Sequence, residues 1–246
     1  MLTTAARVYR DTRKRNDQLF NVYAMRPLAA VVVACVHRTA VTPNQVTLFN
    51  LAVFVVAAAL LVALPTWAGG LVAVGVLEVS YCLDCADGML ARYKKLASKA
   101  GHLLDFFTDE LKAVLLAGAL AVRAWRTGGY GVDGRLWGPG DARFLLVGIA
   151  GVAVVASALS LTNFVRSPEV SGRAATVEAY YETVERKRSV GALVATFLRF
   201  LNHYPSHIWL WALAGRLEVY LCLWIGLNAL YLARGWVGIL SRFGRG

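Results

Sequence analysis

Four aspartates, Asp84, Asp87, Asp105 and Asp109, stand within 26 residues of a chain that is otherwise mostly apolar. On a helix turning about 100° per residue, Asp84, Asp87, Gly88, Ala91 and Arg92 share one face. Gly101, Asp105 and Asp109 share another, stepping in fours. The basic break Tyr93-Lys94-Lys95-Leu96-Ala97-Ser98 reads as a tight turn between two helices. Folding the arms antiparallel about Leu96 brings Asp87 level with Asp105, and Asp84 level with Asp109. Packed helix axes lie roughly 8–10 Å apart, so inward-pointing carboxylates from both arms reach one small volume. Four of them cannot share it unless cations neutralise them. The expectation is a two-cation site of oxygen ligands, the kind that serves phosphoryl chemistry, with Mg²⁺ or Mn²⁺ favoured over zinc.

The elements that must position these acids are long and apolar. Of 246 residues, 58% are hydrophobic and 17% charged, a composition foreign to ordinary soluble domains. Several apolar runs reach the roughly 20 residues needed to cross a bilayer. The expected fold is an all-α integral membrane protein of six transmembrane helices, preceded by an N-terminal interfacial amphipathic helix. Its parts are a basic, interfacial segment over 1–41, a six-helix membrane domain over 42–240 and a short basic tail over 241–246. The spans run roughly over 46–64, 71–93, 100–122, 142–164, 192–214 and 217–231, the fifth being interrupted by Arg199, His203 and Pro205. Residues 1–20 read as a solvated tail or a surface-lying helix. The apolar run 28–36 is too short to span and suits the membrane surface. No cleavable signal peptide is expected, because the basic N-terminus is long and its apolar run short.

The net charge of +11 has no soluble basic domain to carry it. It flanks the apolar runs, which points to anionic lipid headgroups and not to nucleic acid. Nineteen Lys and Arg fall in the N-terminal segment, the motif turn, the 166–190 loop and the C-terminus; five fall on the opposite side, at Arg123, Arg126, Arg135, Arg143 and Arg216. That asymmetry puts both termini and the aspartates on the cytoplasmic side. Thr42 or Pro43 can begin the first span. Glu78 is an intramembrane acid that either supports the site or, the reading preferred, pairs with a polar group of a neighbouring helix. Cys82 and Cys85 spell C-x-x-C but lie in an apolar helix with no second pair and no spaced His, so neither zinc nor redox use is expected.

The aspartate stretch resembles the signature of the CDP-alcohol phosphatidyltransferase family, D-x2-D-G-x2-A-R-x8-G-x3-D-x3-D. Every fixed position matches: Asp84, Asp87, Gly88, Ala91, Arg92, Gly101, Asp105 and Asp109. The resemblance implies attack of an acceptor alcohol on the phosphate of a CDP-alcohol such as CDP-diacylglycerol, with release of CMP. It implies that two divalent ions bind Asp84, Asp87, Asp105 and Asp109, and that Asp109 is the base toward the acceptor hydroxyl. It further implies that Gly88, Ala91 and Gly101 leave room for the nucleotide, while from the residues alone they read first as close helix packing. Arg92 can hold a phosphate oxygen or anchor the helix at the membrane surface. Pro43-Asn44-Gln45-Val46-Thr47 resembles the family's entry to the first span, implying that Asn44 and Thr47 line the nucleotide pocket; simple capping is the other reading.

Arg166 sits where family members with phosphorylated acceptors carry basic residues, and Arg173 with 186–188 can assist. The acceptor expected is a phosphorylated polyol, an inositol or glycerol phosphate, with serine or diacylglycerol as alternatives. Arg26-Pro27 ahead of Thr42-Pro43-Asn44 also resembles the inositol-phosphate branches. The family further implies a homodimer in a bacterial-type inner (plasma) membrane. A transporter would use intramembrane acids but not the small residues at these spacings, and no inverted repeat is evident. Pro205-Ser206-His207 hints at a membrane phosphatase, whose companion motifs are missing. A scaffold that kept the fold would not need four intact aspartates.

Overall fold

Helix is the only regular structure among the described residues of a computed structural model; these are 1–13, 17–128, 136–167 and 203–244, with Val170, Phe197, Phe200 and Leu201. In chain order the helices are α1 (Leu2–Asp11), α2 (Arg26–Val36, entered through a π turn at Asn21–Met25), α3 (Pro43–Ala63), α4 (Trp67–Tyr93), α5 (Lys99–Thr127) and α6 (Arg143–Arg166). A 3₁₀ turn at Tyr204–Ser206 leads into the short α7 (Ile208–Leu213) and the long α8 (Leu217–Phe243). Among the described residues four helices, α3, α4, α6 and α8, are long and apolar enough to cross a membrane. The chain is therefore an integral membrane protein by length and composition. α5 has the length, at 29 residues, but carries the charges of the motif and of Lys112, Arg123 and Arg126. The expected fifth span lies partly outside the described residues; its described end is a 3₁₀ turn and a six-residue helix.

The chain divides into two compact units: Met1–Ala57 with Ala73–Lys112, and Ala58–Val72 with Ala113–Gly246. In the first unit α1 is packed, not a solvated tail. Its Ala5 and Val8 are buried with Ala29, Ala30 and Val33 of α2, Val46 of α3, and Ala86, Met89 and Leu90 of α4. Small residues at helical spacing on α1 and α2 let these short helices lie close to α4, which rescues segments too short to be stable alone. Arg26 is buried and ion-paired with Asp17. Asp17 also accepts from Asn21 Nδ2 at 2.9 Å, and Asn21 Oδ1 accepts from Tyr81 OH at 2.6 Å. This chain of partners ties the N-terminal segment to α4 and satisfies a charge that burial would otherwise penalise.

The turn between α4 and α5 explains why the two arms of the motif fold back so sharply. Lys95 adopts a left-handed φ of 57°, Lys95 N donates to Arg92 O at 3.2 Å and Leu96 N to Ala91 O at 2.8 Å. These are the two bonds of a Schellman ending, with lysine where glycine is usual, at a backbone cost of roughly 1 kcal/mol. Lys94 Nζ donates to Thr39 O and Val41 O, both at 2.8 Å, fastening the turn to the link before α3. Ser98 then caps α5, its Oγ accepting from Gly101 N at 3.0 Å.

In the second unit α6 packs on α8 through glycine. A Cβ on Gly151 would stand 2.3 Å from Ile225 Cδ1, so only hydrogen allows the helices to come this close. Arg123 of α5, 3% exposed, donates to Leu61 O at 3.0 Å, Leu64 O at 2.8 Å and Thr66 O at 2.6 Å. It thereby satisfies the carbonyls where α3 ends at Pro65, an end no further helical turn can complete.

Candidate functional site

The site is assembled from one polar stripe on each of three helices of the first unit. On α3 the stripe begins at a capping box: Gln45 N donates to Thr42 Oγ1 at 3.3 Å, and Thr42 N donates to Gln45 Oε1 at 2.9 Å. This fixes Pro43 as the first helical residue. Asn44, Thr47 and Asn50 then follow at three-residue steps, which puts them on one side of an otherwise apolar helix.

On α4, Ser80, Asp84 and Asp87 form the matching stripe, while Ala86, Met89 and Leu90 turn to the apolar core of the unit. Thr47 Oγ1 donates to Asp87 Oδ2 at 2.7 Å, and both residues are buried, at 3% and 4% exposure. Asn50 Nδ2 donates to Asp84 Oδ1 at 3.0 Å, and Asn50 Oδ1 accepts from Ser80 Oγ. The α3 stripe therefore positions two of the four carboxylates by direct hydrogen bonds, each to a charged acceptor and so stronger than a neutral pair.

On α5, Gly101, Asp105 and Asp109 continue the pattern. One carboxylate oxygen from each of Asp84, Asp105 and Asp109 lies within 4.8 Å of the other two. Lys112 Nζ stands 2.6 Å from Asp84 Oδ1 and 2.7 Å from Asp109 Oδ1. Access is graded: Lys112 is 2% exposed at the floor, Asp84 19%, and Asp109 51% at the rim.

The donor set has the geometry and chemistry of a divalent-ion site. Two ligands of one hard cation, bound at roughly 2.0–2.6 Å, are separated by no more than twice that length. Three carboxylate oxygens gathered within 4.8 Å on two helices meet that condition with at most a small adjustment. All are oxygens, which suits Mg²⁺, Mn²⁺ or Ca²⁺ over softer metals. Cys82 and Cys85 are free thiols and do not join the cluster.

The remaining candidate residues are placed as follows. Asn44 faces Gly101: a Cβ there would lie 3.0 Å from Asn44 Oδ1. Gly88 lies under the guanidinium of Arg92, whose Nη1 would be 3.4 Å from an added Cβ. Ala91 is half-buried on the same helix. Arg166 is the last residue of α6; its side chain, like Arg173 and 186–188, lies outside the described residues. Glu78 does not have the partner expected of it, since neither of its buried carboxylate oxygens is hydrogen-bonded among the described residues. The motif reading missed Lys112, Asn50 and Ser80. Each was signalled by helical spacing from a residue already singled out: Lys112 three after Asp109, Asn50 three after Thr47, Ser80 four before Asp84.

A family model, CDP-alcohol phosphatidyltransferase, matches residues 40–224. No match among curated proteins was found. The matched residues include all of α3, α4, α5 and α6, and so every polar stripe described above.

Proposed function

From the chain's membership of the CDP-alcohol phosphatidyltransferase family, whose members are transferases that generally use divalent metal ions, we propose that it moves a phosphatidyl or similar group from CDP-diacylglycerol or another CDP-alcohol to an acceptor alcohol, releasing CMP. The observation that supports this reading is the convergence of Asp84, Asp105 and Asp109 on one small volume, with Asp87 held beside it by Thr47. Two divalent ions, Mg²⁺ or Mn²⁺, held by the four aspartates would neutralise the diphosphate and make its lipid-bearing phosphorus open to attack. Thr47 and Asn50 keep Asp87 and Asp84 in the rotamers that face the site. Asn44, Gly88, Ala91 and Gly101 provide the space for the nucleotide, and Arg92 pairs with a phosphate oxygen.

Asp109, the most exposed of the paired acids, is the residue placed to meet an incoming hydroxyl. The acceptor oxygen forms a bond to the lipid-bearing phosphorus, and the bond from that phosphorus to the bridging oxygen breaks. CMP leaves with that electron pair, and the hydroxyl proton passes to Asp109. A carboxylate held among cations is a modest base, so orientation and charge stabilisation provide most of the acceleration.

The acceptor we favour is a phosphorylated polyol recognised in part by Arg166, in a six-span homodimer of a bacterial-type inner membrane with both termini cytoplasmic. CMP release tests the reaction, with purified protein, CDP-diacylglycerol and a panel of alcohols, with and without Mg²⁺. CMP should form only when donor, acceptor and metal are all present; flux across vesicles without CMP would overturn the reading in favour of a transporter. Arg166→Ala should raise the acceptor KM by at least about tenfold, the worth of one charge-assisted hydrogen bond, and leave the donor KM near its wild-type value. Equal small changes in both would remove Arg166 from acceptor recognition.

A further inference from the structure

Lys112 belongs to none of the fixed positions of the aspartate motif, yet it lies inside the cluster they form. Its side chain is 2% exposed, and its ammonium touches carboxylates from two different helices, Asp84 of α4 and Asp109 of α5. Burying an ammonium is costly unless its partners are charged and close; here both are. Asp84 Oδ1 is further engaged by Asn50 Nδ2 at 3.0 Å. The contacts fall on the Oδ1 atoms of both acids, an arrangement that leaves each carboxylate a second oxygen to offer.

An ammonium and a divalent ion compete for the same negative charge. We propose that Lys112 is a resident counter-ion of the carboxylate cluster: a positioning residue that holds Asp84 and Asp109 together before any divalent ion binds and limits how tightly such ions are held. This rests on the reading that the aspartates bind divalent ions. Its function would be to keep the site assembled through each cycle of nucleotide entry and CMP departure. Without it the acids would repel one another and open when an ion left.

Replacing Lys112 by methionine keeps much of the length and removes the charge. In the wild-type protein and Lys112→Met, stripped with chelator and free of lipid donor and nucleotide, Mn²⁺ binding is measured by calorimetry and by the electron spin resonance of the free ion. Thermal unfolding is followed with and without Mn²⁺. The variant should bind Mn²⁺ at least about tenfold more tightly, because a unit charge beside a divalent ion is repulsive by more than that factor even at the dielectric of water. Its melting temperature should be lower without Mn²⁺ and recover more on Mn²⁺ addition than the wild type gains. Lys112→Arg, which keeps the charge, should bind close to wild type. A methionine variant that binds no tighter overturns the proposal, as does one that stays unfolded at saturating Mn²⁺, since a bound cation should replace a resident one. An arginine variant binding as tightly as the methionine variant would overturn it as well. Wild-type protein that binds no Mn²⁺ would remove the divalent-ion reading along with it; wild-type binding without tightening in the variant removes only the role of Lys112.

Discussion

Each unit of the molecule buries a cluster of charge, and the two clusters are built on opposite principles. In the second unit the guanidinium of Arg123 is met by three backbone carbonyls, Leu61 and Leu64 at the end of α3 and Thr66 just before α4, all between 2.6 and 3.0 Å. The first two lie at the negative end of the α3 dipole, and all three are fixed in place with no charge of their own to spare. In the first unit Asp84 and Asp109 meet the amine of Lys112, Asp105 brings a third carboxylate oxygen within 4.8 Å of theirs, and Thr47 and Asn50 add neutral donors to Asp87 and Asp84. The first arrangement is complete with its own atoms. The second concentrates acceptors, reaches the surface at Asp109, and retains the capacity to take more positive charge. Burial of charge alone therefore does not mark a functional site; burial with capacity left over, and a route in, does.

That contrast is most exposed to refutation at Asp105. Asp105→Asn keeps the shape and removes one of the three converging carboxylates, so CMP release should fall by about 10³-fold, the scale seen when one preorganised electrostatic contact to a reacting group is lost. The apparent melting temperature should change little or rise, because like charges have been thinned. A variant that unfolds while keeping its turnover per folded molecule would place Asp105 with the structural charges. Arg123→Met should show the reverse. Leu61 O and Leu64 O lose their guanidinium donor and Thr66 O keeps only Gly70 N, costing on the order of 3 kcal/mol of stability, measured by thermal unfolding in detergent. KM for the CDP-alcohol and turnover per folded molecule should stay at wild-type levels, and a KM effect would break the separation drawn here.

Sequence carried the convergence of the aspartates further than the packing around it, for a physical reason. The aspartates are arranged by a helix–turn–helix of short range, so fixed spacing and the 3.6-residue period determine which of them can face each other. Even the sharp turn is local, closed by bonds from Lys95 and Leu96 back to Arg92 and Ala91. The packing of α1 was not legible. Ala5 and Val8 offer few apolar side chains, and their burial depends on α2 and α4 approaching from elsewhere in the chain. The ion pair of Arg26 was not legible either, because its partner Asp17 sits outside any periodic pattern with it. Arg123 read as one more basic residue of a loop count, since nothing local reveals that it reaches the end of α3. Long-range partners of single charges are what periodicity cannot supply.

The smallest effects should come from adding one methyl group in each unit, and they sharpen the contrast because the clash is worse where function should suffer less. At Gly151 an added Cβ would stand 2.3 Å from Ile225 Cδ1 and 2.7 Å from its Cγ1. The obstacle is the end of an apolar side chain, which can turn aside at an overpacking cost of about 1–3 kcal/mol. At Gly101 the Cβ would meet Asn44 Oδ1 at 3.0 Å and Ser98 Oγ at 3.2 Å. Those contacts are milder, but the atoms are less free: Ser98 Oγ is the cap of α5, already accepting from Gly101 N, and Asn44 sits at the start of α3 in the capped first turn. The strain is relieved by moving Asn44, hence a wall of the nucleotide space proposed above. Gly151→Ala should lower the melting temperature with KM and kcat unchanged. Gly101→Ala should barely move the melting temperature yet raise the KM for the CDP-alcohol by about threefold, a loss of uniform binding with kcat held. Should Gly101→Ala instead destabilise the fold and spare KM, the glycine would be a packing residue, and the nucleotide would have to be sought along another part of the α3 stripe.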